Sequence, residues 1–224
     1  MSQPVGPEAA GSGPGISNLI HLFGDRFAPL AKGKGPRVYS RTDTTVAVDR
    51  QQLATTLIAA SVWGLRESGL VRLEQRQEKK LGLIKLKRTH MWPAGDGPVR
   101  GDLERRVLNL IRGNAEESGL TEYNLVRMLV PRGDEPYGWV VGGVLTDDAE
   151  QGYVTATYDA KGMLSGFEPV FDKIAALEPA AADVALRWKA FGEREPEMLK
   201  PLRSHIDTAL HGRMRDDEPY ERDS

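Results

Sequence analysis

Residues 49–91 read DRQQLATTLIAASVWGLRESGLVRLEQRQEKKLGLIKLKRTHM, and the fold turns on this stretch. It describes one helix, a glycine stop and a basic β-hairpin. Asp49 is placed to cap the helix, because a carboxylate accepts from the free N–H groups of a first turn. Gln52, three residues on, completes a pattern like a capping box. Leu53, Leu57, Ile58 and Leu65 then recur at helical spacing around Ser61, giving one buried stripe. Gly69 ends the helix, since glycine enters the left-handed conformation without steric cost. Val71 and Leu73 alternate with Arg72 and Glu74, as in a half-buried strand. Residues 75–80 read as a polar turn. Residues 81–88 read as the returning strand, with a phase slip at Leu83 and Ile84 that suggests a bulge.

Trp63 does not fit the stripe. At about 100° per residue it points to the opposite side, among Gln52, Thr55, Thr56, Ala59 and Arg66. Either another part of the chain covers it, as for most large aromatics, or it anchors a partner with Thr56, Ala59 and Arg66 around it.

Working outward, the second half repeats the plan. Leu103, Val107, Leu110 and Ile111 form a helical stripe after Asp102. Thr121 caps a short helix that Pro131 stops, and a third helix ends at Gly152. Residues 153–158 and 163–167 form a second hairpin. Trp139 again falls off its helix's apolar stripe, beside Gly142 and Gly143. The expected fold is therefore α+β and helix-rich. It has two tandem winged-helix-like units, each of helices plus a β-hairpin, followed by a C-terminal helical pair. The boundaries are a disordered lead at 1–15, a first unit at 16–92 and a second at 99–171. C-terminal helices at 172–215 and an acidic, disordered tail at 216–224 complete the chain.

With 224 residues, 40% of them hydrophobic, the chain can bury a substantial core. A net charge of −2 excludes an all-over basic coat but not a local basic patch. There are no cysteines, hence no disulfide framework and no thiolate metal site. No apolar run reaches the roughly 20 residues of a membrane span, and residues 1–15 lack a signal-peptide pattern. These features point to the cytoplasm, and the arginine-rich basic composition points to a GC-rich bacterial genome.

No catalytic spacing emerges. His21, His90, His205 and His211 form no metal-binding pair and read as satisfied surface histidines. Lys34 lies between Gly33 and Gly35 without the spacing of a phosphate loop. Ser165 misses the nucleophile-elbow spacing. Asp147, Asp148 and Glu150 read as a solvated acidic helix end. No catalytic residue, cofactor, metal or small-molecule substrate is expected.

The electrostatic feature is the first hairpin. Residues 66–90 carry eight basic and three acidic side chains in a chain that is net negative. Gln51, Thr55, Arg72, Arg76, Lys79, Lys80, Lys85, Lys87 and Arg88 could hold phosphates or another anionic surface, if helix 50–68 served as recognition helix and hairpin 70–88 as wing. The alternative is edge protection, in which lysine and arginine block sheet-to-sheet pairing. The second unit's helix is acidic and glycine-rich, which suits close packing better than base reading.

Residues 49–73 and 121–167, each with its hairpin, resemble winged-helix units, whose tandem families include transcription regulators and partners of chromosome-organising complexes. Residues 46–73 are also similar, in helix–glycine–strand pattern alone, to a lipid-binding Golgi phosphoprotein family with bacterial members. The reading drawn from these features is a non-catalytic adaptor or assembly protein that acts through a protein partner or self-association. Trp63, Thr56, Ala59, Arg66 and Trp139 are its candidate contacts. The alternative is a duplex-DNA-binding regulator, and an anionic membrane surface is a third possible partner.

Overall fold

Asp49 does cap the central helix: its Oδ1 accepts from the Gln52 backbone N–H at 2.9 Å. The Gln52 side chain does not close a capping box. Its Oε1 instead accepts from Arg203 at 3.1 Å. At the other end Leu70 N–H donates to Leu65 O and Gly69 N–H to Arg66 O, both at 2.9 Å. This is a Schellman stop, and it requires the positive φ of 73° found at Gly69. The second half uses the same device: Tyr153 N–H donates to Asp148 O, Gly152 N–H to Ala149 O, and Gly152 has φ 75°. The computed structural model describes residues 13–32, 35–39, 41–42, 45–80, 84–133 and 135–214, with backbone alone for 79–80 and 84–86.

In chain order the elements are α1 (Ile16–Leu22), β1 (Arg37–Tyr39), β2 (Ala47–Asp49), α2 (Arg50–Glu67), β3 (Val71–Lys80) and β4 (Ile84–Pro93). Then come α3 (Asp102–Asn114), β5 (Leu120–Thr121), α4 (Glu122–Leu129), α5 (Pro136–Glu150), β6 (Val154–Tyr158) and β7 (Leu164–Pro169). The chain closes with α6 (Phe171–Ala175), α7 (Glu178–Arg194) and α8 (Pro196–His211). The architecture is α+β, with eight helices and small antiparallel sheets among the described residues. No helix among them is long and apolar enough to cross a membrane.

Helix α2 is not the one-faced helix that its periodicity predicts. Residues 53–65 are buried all round. α1, α3, α5 and α8 pack against it. A helix enclosed on every side needs no polar face, and its small residues (Ala54, Ala59, Ala60, Ser61, Gly64) let neighbours approach. Ser61 donates to Leu57 O at 2.8 Å, so its hydroxyl is satisfied within the helix.

The first hairpin is longer than its alternation suggested. β3 runs on to Lys80, and its register with β4 is unbroken from Val71↔Pro93 to Lys80↔Ile84. Residues 75–80 are therefore strand, not turn. Charged residues on both phases of an exposed ribbon erase the period of two that marks a strand. The proposed slip at Leu83 falls at residues 81–83, outside the described residues.

The second half has the order helix, short strand, two helices and hairpin. Its short strand β5, however, pairs with β4 (His90↔Thr121, Met91↔Leu120) and not with β6 or β7. α2 contacts both α3 and α5. One apolar core thus crosses residues 93–98, where the sequence suggested a boundary between two units. α8 completes that core through Leu202, Ile206, Ala209 and Leu210.

Candidate functional site

Glu122 sits at the first position of α4, directly after the Thr121 cap, and is fully buried. Its carboxylate gathers three elements. It accepts from Thr89 N–H of β4 at 2.9 Å, and it lies 3.5 Å from the Arg88 guanidinium and 2.5 Å from His205 Nδ1 of α8. Beside it, Trp92 carries the Arg72 and Arg76 guanidiniums at 4.7 and 4.6 Å from its ring centre, with His90 stacked at 5.9 Å. Gly119 allows this stack, since a Cβ there would come within 2.6 Å of the indole. Lys87 pairs with Glu197 at 3.2 Å and Arg76 with Glu74 at 3.2 Å. Arg72, Arg76, Lys87 and Arg88 are therefore engaged within the chain. Lys87 and Arg88 fasten the hairpin to α8 and α4, while Arg72 and Arg76 pack on Trp92 within the hairpin. The side chains of Lys79, Lys80 and Lys85 lie outside the described residues.

The other expected contact residues are redistributed by the fold. Thr55 is buried and Gln51 half-buried, so neither is free as on a recognition helix. They donate to Asp207 of α8 at 3.0 and 3.3 Å, where Tyr137 also meets that carboxylate. Burial and the neighbouring Asp207 charge hold the Tyr137 phenol well above its ordinary range. Trp63 has no exposed surface. It packs edge-on to Trp188 at 5.4 Å and stacks with Phe191 at 6.2 Å, so α7 covers it. Thr56 and Ala59 are equally buried, and Arg66 pairs with Glu195 at 2.9 Å. The partner-anchor expectation for Trp63, Thr56 and Ala59 is thereby corrected: a side chain without surface cannot dock a partner. Trp139 alone of that set keeps an open aromatic face, 36% exposed, with Arg106 over its ring at 5.9 Å.

A further apolar surface was not singled out from the sequence. Tyr158 (65% exposed), Met163 (61%) and Leu164 (56%) crowd the end of the β6–β7 hairpin, where Tyr158 and Leu164 are cross-strand partners. Phe171 (56%) lies beyond the opposite end of the hairpin, after the Val154↔Pro169 pair. Residues 159–162 close it through Asp159, which accepts from Lys161 and Met163 N–H.

A buried polar network ties α1 to α3 and α5. His21 Nδ1 lies 2.6 Å from Asp148 Oδ2, and both side chains are fully enclosed. Asn18 donates to Asp148 at 2.7 Å and to Asp147 at 3.0 Å, and Asp147 also accepts from Asp102 N–H. Ser17 donates to both oxygens of Glu104, from N–H at 2.6 Å and from its hydroxyl at 2.7 Å. Burial raises the Asp148 carboxyl, against the lowering effect of His21 and Asn18. Burial also pushes Glu104 up to about 6. Two sequence readings change here. Asp147 and Asp148 are buried rather than a solvated helix end, and His21 and His90 are core rather than surface histidines. A histidine held by an aspartate is the arrangement of an oriented base. His21 Nε2 is buried without a hydrogen-bond partner among the described residues, and the pair joins α1 to α5.

Glu104 also borders a cavity of about 330 Å³ between α1, the end of α2, residues 98–100 and α3. Ile16, Leu19, Leu65, Leu70 and Val99 form its apolar wall. With this geometry in hand, comparison with known proteins found no matching family model, no matching curated protein and no matching solved structure.

Proposed function

We propose that this chain is a non-catalytic adaptor that binds a protein partner through the exposed apolar end of its second hairpin. The observation that carries the reading is the grouping of Tyr158, Met163 and Leu164, each more than half exposed, at the turn end of one hairpin. Apolar groups gathered on one surface mark interaction sites, whereas single exposed apolar residues are ordinary. Aromatic side chains supply most of the affinity at such sites. Trp139, on the exposed side of α5, is a second aromatic contact of the same kind. The winged-helix-like order of α3 to β7 serves here as a frame that holds a hairpin out. The engaged arginines of the first hairpin and the enclosure of α2 weigh against a recognition-helix-and-wing mode of DNA binding.

The test is the double substitution Tyr158→Ser, Leu164→Ser in the full chain. It should leave the far-UV circular dichroism and thermal midpoint unchanged and remove the protein's association in native cell extract, read as a shift to the monomer position on gel filtration. Unchanged elution in extract would defeat the proposal.

A further inference from the structure

We propose that the cavity between α1, α2 and residues 98–100 binds a small organic amine with an apolar body, its ammonium group paired with Glu104. The volume of about 330 Å³ lies within the range of small-ligand sites. Its wall supplies apolar contact from Ile16, Leu19, Leu65, Leu70 and Val99, and its polar groups are few. Among these, Glu104 is unusual. It is 3% exposed, and its hydrogen bonds come from neutral donors, the N–H and hydroxyl of Ser17 and its own backbone N–H. The other carboxylates buried to this degree, Glu122 and Asp148, each face a histidine or arginine. No cation among the described residues lies within ion-pair distance of Glu104.

A buried carboxylate without a counter-charge is unfavourable, and a cation delivered by a ligand would relieve it. Each Glu104 oxygen accepts one hydrogen bond from Ser17, which leaves acceptor capacity on both. Although burial raises its carboxyl, Glu104 is mostly ionised at neutral pH. The Ser68 hydroxyl, whose proton is directed at Gly64 O and Leu65 O, can accept from an amine but carries no charge to pair with an ammonium, so Glu104 is the stronger anchor. Arg100, exposed at the edge, is the competing polar group, and it would select an anion instead. The two choices make opposite predictions for ligand charge.

The experiment is ¹⁵N-correlation NMR titration of the full chain with n-hexylamine, n-hexanol and hexanoate at pH 7.5. The proposal expects saturable shifts at Leu65, Leu70 and Val99, with hexylamine at least about tenfold tighter than hexanol, the margin of one charge-assisted hydrogen bond. Glu104→Gln should abolish that margin and leave hexanol binding unchanged. Val99→Trp, which fills the cavity from a loop position, should block both and decides the matter if the Glu104 variant does not fold. Equal affinities for amine and alcohol, preference for hexanoate, no saturable shift, or amine binding that survives Val99→Trp would each overturn it.

Discussion

Truncation of Trp63 separates a core role from a contact role. The indole is fully buried between Trp188 and Phe191. A tryptophan buries about 150–250 Å², which at about 25 cal/mol per Å² is roughly 4–6 kcal/mol as an upper bound. Alanine retains a small share of that, and the remaining void relaxes only in part, so Trp63→Ala should destabilise by about 3–5 kcal/mol. Trp63→Phe is the informative partner. The Trp63 indole N–H has no hydrogen-bond partner among the described residues, and an unpaired buried donor costs about 1–3 kcal/mol. Phenylalanine removes that penalty together with part of the ring, so its net effect should be below about 1.5 kcal/mol. Urea unfolding followed by far-UV circular dichroism measures both variants. If Trp63→Ala shifts stability by less than about 0.5 kcal/mol, the enclosure by α7 is wrong. If Phe and Ala are equally damaging, the unpaired-donor reasoning fails.

Gly69→Ala should cost about 1 kcal/mol from left-handed backbone strain alone, because a Cβ there meets nothing within 4 Å. Chemical denaturation checks this, and a neutral result would contradict the Schellman stop. Glu122→Ala leaves Thr89 N–H without its acceptor and Arg88 and His205 without their carboxylate counter-charge, and should cost about 3–5 kcal/mol. Glu122→Gln, which keeps an acceptor for Thr89, should cost less, and the two unfolding midpoints report the difference. Glu104 is raised in the fold from 4.5 to about 6. Its protonated form therefore favours the folded state, and stability declines by about 2 kcal/mol as pH rises through that interval. Subtracting the pH–stability curve of Glu104→Gln from that of the parent chain isolates this decline, and a flat difference would refute it.

The sequence was legible where a local signal had one cause. The Asp49 cap, the stops at Gly69 and Gly152, the Thr121 cap and both hairpins follow from backbone chemistry within a few residues, and the structure has all of them. What failed depended on distant partners. The spacing of Leu53 to Leu65 gives α2 a stripe, but α7, more than a hundred residues later, covers Trp63, and α8 packs on the helix as well. The β5 pairing with β4 joins the two halves across a two-residue strand that has no pattern of its own. Asp148, Glu104 and Glu122 look like surface acids because their partners His21, Ser17 and His205 lie far away in sequence. The alternation of residues 153–158 marked a strand, but nothing in it showed that Tyr158 and its cross-strand partner Leu164 stay uncovered.

A photo-reactive benzoylphenylalanine at Tyr158, compared with one at Leu186, tests the adaptor reading most directly. Both positions are about equally exposed, at 65% and 69%, but Leu186 belongs to α7 and not to the second hairpin. On irradiation in native cells, position 158 should give a discrete cross-linked protein species that the Leu164→Ser change abolishes, and position 186 should give none. Equal cross-linking at both positions, or none at 158, would contradict the account.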